Sequence, residues 1–448
     1  MIVMKFGGSS VADSLRVRHA AQIIRSYESE RPVVVLSAMG DTTDFLLEAA
    51  EEAVSGVSGG SGLAKVESLH VRALEELGVA SEEASEVKEL LLQLRTLLTG
   101  IGMLRELTRR TRDYVLSFGE RLSVRVMSAY LNKEGIPSCA LDAWDAGLVS
   151  DSNYNSAELL DDVWRLIPAS LDDYAKGRSR AIPIVTGFIA KDKRGIITTL
   201  GRGGSDLTAT MIGSAMRVKE IQTWKDVDGI LTADPKIVKS ARLVPEVTYE
   251  EAEELAVFGS QVLHPRSMIP CKKTGTLVRV KNSYNTESAG SIIAAEHSGA
   301  RPSVTAITTM RNITVVDIVS AGMLGACGFL AHIFNQFLKW NVSIDVIATS
   351  VVSVSLTVSS DADLSGLLED LKNVADVTVK HGKAIVAVIC DVANSAKTLA
   401  LTFKSLSEAK INVQMISQGA SKVNISMLVD DSEAEKTVAV LHSAYFEE

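Results

Sequence analysis

The sequence predicts an α/β protein: a three-layer αβα domain with a mainly parallel central sheet, followed by two smaller α+β modules of βαββαβ order. Three observations predict it. The chain opens strand, loop, helix, strand, which is how a parallel sheet begins. Two glycine-rich turns, KFGGSS and LGRGGSD, each join an apolar run to a helical one. The C-terminal part repeats its own hydrophobic rhythm.

The elements follow in order. Ile2–Met4 reads as a short strand, and after the glycine turn a helical pattern runs from about Asp13 to Tyr27. PVVVLSA (Pro32–Ala38) is a second buried strand ending in the small-residue loop MGDTTD. Residues 44–115 form a helical excursion from the sheet. Its Leu-, Glu- and Arg-rich stretches flank SGVSGGSG (Ser55–Gly62), a flexible linker by composition. Further β-branched strands stand at Ala181–Ala190 and Thr276–Asn282. The glycine clusters stop near Thr286, so the first domain is assigned to residues 1–295.

Beyond it, NITVVDIVS…VSLTV and, about seventy residues later, IVAVICDV…NISMLV share one strand–helix–strand–strand pattern. Phe334 matches Phe403 and Val342 matches Ile411. The second copy ends after a helix at Asp431–Ser443 with no closing strand, whereas VTAITTM (Val304–Met310) precedes the first copy unassigned. That strand is expected to complete the second copy. The first module (311–382) then becomes an insertion within the second (303–310 plus 383–448).

Composition narrows the function. The 448 residues are 46% hydrophobic and 23% charged, with a formal net charge of −9. That fits a globular protein and speaks against a nucleic-acid partner. No run approaches the ~20 apolar residues of a membrane span. Lys5 and two glycines interrupt the N-terminal apolar stretch, unlike a signal peptide. The four cysteines form no C-x-x-C pair, so neither zinc nor redox chemistry is readable, and scattered thiols suit the cytoplasm.

The motifs narrow it further. In KFGGSS, backbone N–H groups of Gly7, Gly8 and Ser9 can converge on an anion before a helix N-terminus, and Lys5 adds a point charge. Taken alone, the turn serves equally well as an ordinary tight turn. TTLGRGGSDLTA repeats the device with Arg202, Gly203, Gly204, Ser205 and Asp206, the last two read at the helix cap. Two such turns suggest a polyphosphate held between opposing helix N-termini. QTWKDVDGILTADPK reads alone as a charged surface loop, and Glu120 in FGERLS as a carboxylate at a helix start.

KFGGSSVAD, VLSAMGDTT, SFGERLS, TLGRGGSDLTA, WKDVDGILTADPK and FGSQVLHPRS, in this order, resemble the aspartate kinases, members of the amino acid kinase family. The C-terminal duplication resembles their paired ACT modules, which have the ferredoxin-like fold. The resemblance covers essentially the whole chain. It implies ATP with Mg²⁺ as cofactor and L-aspartate as substrate, giving 4-phospho-L-aspartate and ADP. Lys5 and Asp206 would be catalytic, with Lys5, Gly7, Gly8 and Ser9 holding the transferring phosphoryl group. Ser37, Thr43, Glu120, Arg202 and Ser205 would line the aspartate pocket, arginine to the α-carboxylate and glutamate to the α-amino group. Gly203, Gly204, Lys225, Asp226, Leu231, Lys236, Gln261 and Val262 match nucleotide positions. The nucleophile is a carboxylate with a free pKa near 3.9, so no general base is required. His264 is then a packing residue.

For the tail, the resemblance implies an amino-acid effector, lysine ahead of threonine, and a homo-oligomer, dimer or tetramer, formed through the ACT modules. Met323, Phe329, Leu330, Asp345 and Ser350 match effector positions; Val351 departs from the glutamate of several lysine-inhibited relatives. Another amino acid kinase, such as a glutamate kinase, and a catalytically silent amino-acid sensor are the alternatives.

Overall fold

The computed structural model describes residues 1–57, 59–259, 263–320, 328–419 and 421–447, the side chain of Asn394 apart. They form two compact units: Met1–Ile230 with Pro245–Tyr249 and Val262–Glu296, and Leu231–Val244 with Glu250–Gln261 and His297–Glu448.

The first unit is built on β1 (Ile2–Phe6), β2 (Pro32–Leu36), β3 (Ser138–Leu141), β4 (Val149–Ser150), β5 (Ile182–Thr186), β6 (Ile189–Asp192), β7 (Ile197–Thr199), β8 (Ile221–Lys225), β9 (Glu246–Thr248), β10 (Val278–Asn282) and β11 (Ser291–Ala294). Eight of these make one sheet in the order β3-β5-β2-β1-β8-β10-β11-β9. Every neighbouring pair is parallel except β10 with β11. A three-stranded sheet, β4-β6-β7, stands apart. The run Ala181–Ala190 divides into β5 and β6 because Gly187–Phe188 turns the chain, Phe188 adopting φ +65°.

Parallel strands are covered on both faces, which is why β1 and β2 are buried at every position. Side chains alternate across the sheet. Ile2, Met4 and Phe6 join the core made with the helices Ser14–Ser26, Thr42–Val54 and Arg109–Lys133. Lys5 therefore faces the opposite layer, where the helix Gly204–Met216 lies. A lysine inside a buried strand costs stability unless it is paired. The helical excursion is Thr42–Val54, Ser61–Leu77, Ser85–Leu104 and the first turns of Arg109–Lys133.

The second unit holds β12 (Val304–Val319), β13 (Ile347–Thr349), β14 (Ser353–Ser359), β15 (Asp376–Cys390), β16 (Met415–Gln418) and β17 (Asn424–Asp430), in the order β13-β14-β12-β15-β17-β16. VTAITTM is not a separate strand. It runs on into the first strand of the first module as β12, antiparallel to β15 throughout, with Val304–Met310 against Ile385–Cys390. The junction is marked by register shifts between Met310 and Val315, by Asn312 at φ +59° and by Gly382 at φ +67°. β14 pairs with one half of β12 and β17 with the opposite half of β15.

Each half has its own core. Val316, Ile333, Phe337, Leu356 and Leu367 fill one; Val386, Val388, Leu406, Met427, Val438 and Leu441 fill the other. The helix faces of the two copies match in the expected register: Ile333 and Phe337 are buried in the first as Thr402 and Leu406 are in the second, with Phe334 and Phe403 at the next position toward solvent. Ala233 and Val238 bury into the second core. That is why 231–244 packs with this unit, inside the stretch expected to be one domain to residue 295. The final helix is Ala434–Phe446, preceded by a 3₁₀ turn at Asp431–Glu433. Among the described residues no helix is long and apolar enough to cross a membrane.

Candidate active site

The site starts from the lysine in β1. Its Nζ lies 2.8 Å from Asp206 Oδ1, and Lys225 Nζ, at the end of the adjacent β8, lies 3.6 Å from Asp206 Oδ2. Two cations thus share one buried carboxylate, and the cluster carries a net positive charge. Burial alone would raise the Asp206 carboxyl, but the charges of Lys5 and Lys225 outweigh it and hold the group below its ordinary value. Burial lowers the Lys225 ammonium despite Asp206. Asp206 sits in the first turn of Gly204–Met216, whose N-cap is Gly203 at φ +69°. Ser205 and Asp206 are therefore helical residues, not caps. Desolvated positive charge beside a helix N-terminus suits a polyanion.

The second part is Glu120. It does not start a helix, as its sequence context suggested, but lies inside the 25-residue helix Arg109–Lys133. The reason is packing. A Cβ on Gly119 would stand 2.8 Å from Ala38 Cβ, and one on Gly8 would stand 2.9 Å from the Ala38 carbonyl oxygen. Both glycines thus exist to admit the loop after β2. Ala38 N donates to Glu120 Oε1 at 3.2 Å, Ser37 N to the Phe6 carbonyl at 3.2 Å, and Gly40 N to the Gly8 carbonyl at 3.2 Å. Glu120 is 3% exposed, and its Oε2 has no hydrogen-bond partner among the described residues. Burial pushes its carboxyl up to about 8. A buried carboxylate oxygen without a partner can receive a cationic group.

The structure thus brings together Lys5, Gly7, Gly8, Asp206 and Lys225 around one cluster, and Ser37, Ala38 and Glu120 beside the Gly8 turn. Thr43 is half-buried in the first turn of Thr42–Val54, and Ser9 and Asp226 are exposed. Arg202 is exposed in the turn after β7, with no ion-pair partner among the described residues. Gly204 is buried and Ser205 half-buried against Gly187. His264 caps the helix Pro265–Thr274 and packs on Gly203, where a Cβ would lie 2.3 Å from its own; it is a structural residue. Leu231 and Lys236 belong to the second unit, and Gln261 and Val262 lie outside the described residues. Sequence reasoning missed Ser283 and Tyr284. Ser283 Oγ lies 3.1 Å from Ser10 Oγ and donates to the Lys225 carbonyl at 2.9 Å, while Tyr284 Oη donates to the Ser9 carbonyl at 3.2 Å. The hydroxyl-rich NSYN at the end of β10 was the available signal.

In the second unit, Met323 lies outside the described residues. Phe329 and Leu330 open the helix Phe329–Lys339. Burial pushes the Asp345 carboxyl up to about 6. The Ser350 hydroxyl accepts from Val352 N and Ser353 N at 3.3 and 3.1 Å, closing the hairpin between β13 and β14.

The chain has known relatives. The amino acid kinase family matches residues 1–282, and the ACT domain matches residues 391–445. Aspartokinase 1, chloroplastic, of Arabidopsis thaliana is 46% identical over 460 residues, covering 99% of this chain and 80% of its own. The crystal structure of E. coli aspartokinase III in complex with aspartate and ADP, in the R-state, superimposes with a TM-score of 0.84 at 30% identity, over the whole of both chains. The same enzyme in complex with lysine and aspartate, in the T-state, gives 0.83 at 30% identity, over 100% of this chain and 99% of that one. The chain belongs to the amino acid kinase family, with ACT modules behind its catalytic fold. Within that family it is an aspartokinase, an ATP-using kinase.

Proposed function

We propose that this enzyme transfers the γ-phosphoryl group of ATP to the β-carboxylate of L-aspartate, giving 4-phospho-L-aspartate and ADP. The observation that carries the reading is the Lys5–Asp206–Lys225 cluster, where the parallel pair β1 and β8 meets the first turn of the helix Gly204–Met216, with the orphaned Glu120 oxygen beside it.

The nucleophile is already an anion, so the task is to let one anion approach another. Lys5, Lys225 and the N–H groups of Gly7, Gly8, Ser9, Gly203 and Gly204 neutralise and align the phosphates. Asp206 holds Lys5 in line. A carboxylate O–P bond forms as the bond from the γ-phosphorus to the oxygen of ADP breaks. Glu120 receives the substrate ammonium, Arg202 its α-carboxylate, and Ser37, Thr43 and Ser205 complete the pocket. Asp226, Leu231, Lys236, Gln261 and Val262 serve the nucleotide. Mg²⁺, when bound, adds charge neutralisation; among the described residues no three His, Cys, Asp or Glu gather as a cage.

In this reading the first module, inserted into the second, binds an end-product amino acid through Met323, Phe329, Leu330, Asp345 and Ser350. Lysine ranks first, because the lysine complex of the E. coli enzyme shares this fold, and threonine second. The modules join copies of the chain into a dimer or tetramer. The cytoplasm suits its free thiols Cys139, Cys271 and Cys390.

Trapping the acyl phosphate with hydroxylamine across aspartate, glutamate and acetylglutamate tests the acceptor. ATP-dependent hydroxamate with aspartate supports the reading; product only with another acceptor overturns it.

A further inference from the structure

Asp113 stands two turns before Glu120 on the helix Arg109–Lys133, and this spacing puts both on one helix face. It is wholly buried, and among the described residues no lysine or arginine side chain is paired with it. Instead its two oxygens take up donors from two other segments. Asn155 N donates to Oδ1 and Oδ2 at 3.2 and 3.0 Å. Thr199 N donates to Oδ2 at 3.0 Å and Thr199 Oγ1 to Oδ1 at 2.7 Å.

These partners matter for where they lead. Thr199 ends β7, just before Gly201, Arg202 and Gly203. Asn155 flanks the same turn, since a Cβ on Gly201 would stand 3.3 Å from the Asn155 carbonyl oxygen. One carboxylate therefore ties both walls of the Arg202 turn to the helix that carries Glu120. Burial raises this carboxyl, and the hydrogen bonds only partly offset that. A buried acid held by neutral donors, with Arg112 acting on it only through its charge, is a costly way to fill space, and its return is fixed geometry.

We propose that Asp113 is the positioning residue that sets the span between Glu120 and Arg202, and through it the recognition of the amino-acid substrate. This rests on the reading of those two residues as partners of the ammonium and α-carboxylate groups. A substrate held at both ends tolerates little error in their separation.

The test is steady-state kinetics on Asp113→Asn, Thr199→Val and Thr199→Ser. In Asp113→Asn the amide turns a donor toward donors at unchanged volume. Its aspartate KM is expected to rise about ten-fold while the ATP KM stays within about two-fold. Thr199→Val, which loses only the hydroxyl, should raise the aspartate KM about three-fold, and Thr199→Ser should return it to the parent value. An unchanged aspartate KM in both Asp113→Asn and Thr199→Val overturns the proposal, as does an equal rise in both KM values. If Asp113→Asn fails to fold, the valine–serine pair decides by the same readout. A parent enzyme that does not phosphorylate aspartate overturns the pocket reading itself. A parent active on aspartate with silent variants removes only the role of Asp113.

Discussion

Lys5 and Glu120 are both ionisable groups in places that ordinarily exclude them, and each has a separable consequence. Replacing Lys5 by alanine removes the charge nearest Asp206 and is expected to lower kcat by about 10²–10³-fold, with the affinity for aspartate retained in equilibrium binding. Turnover within a few-fold of the parent would exclude Lys5 from phosphoryl transfer. Glu120 predicts a pH effect. Its folded value of about 8 lies above the ordinary carboxylate value of 4.5, so the free enzyme holds it protonated below that pH, whereas a substrate ammonium needs the anion. The kcat/KM for aspartate should rise with pH to about 8, and Glu120→Gln should flatten the profile as well as lower it. The stability sign runs the other way. A raised folded value stabilises only at low pH, and the contribution is lost as pH rises from 4.5 through 8. Glu120→Gln should therefore melt higher than the parent at pH 8, by about 3–6 °C. A variant that binds aspartate normally and melts no higher contradicts both halves.

Between the strands and helices, the glycines carry the argument. Gly119 lies inside a long helix, where alanine is ordinarily better by about 1 kcal/mol. Here the added methyl meets Ala38 at 2.8 Å, so Gly119→Ala should gain no stability and should raise the aspartate KM about five-fold by pushing the Ala38 loop away from Glu120. A stabilised, kinetically silent variant would detach that loop from the pocket. The same residues explain what could be read in advance. The strand–turn–helix order of KFGGSS and LGRGGSD follows from local chemistry and was readable, as was the duplicated rhythm of the tail. The position of Glu120 was not, because the glycine before it looks like a helix boundary until Ala38 is brought against it from far along the chain. Asp113 was invisible for the same reason: its partners are Asn155 and Thr199, and nothing near it in sequence announces them. The continuity of β12 was hidden by Asn312, whose left-handed turn looks like a strand end.

The division of the chain into two units frames the control of activity. Segments 231–244 and 250–259 fold with the ACT modules, apart in sequence from them. An effector that favours one of two states must bind them with different affinity. Lysine is expected to inhibit, threonine to act less or not at all, and Asp345→Asn to weaken lysine inhibition about ten-fold without changing the uninhibited rate. Rates measured with each amino acid, alone and together, check this; activity indifferent to both would remove feedback from the account.

The central claim is that a free amino acid's side-chain carboxylate is the nucleophile, held beside the Lys5–Asp206–Lys225 cluster. It is tested most directly with aspartate carrying heavy oxygen in its β-carboxylate, turned over with ATP and trapped with hydroxylamine. Because hydroxylamine attacks the carbonyl carbon, the released phosphate should carry a heavy oxygen from the aspartate, and Lys5→Ala should release almost none. Phosphate without the label would contradict the account.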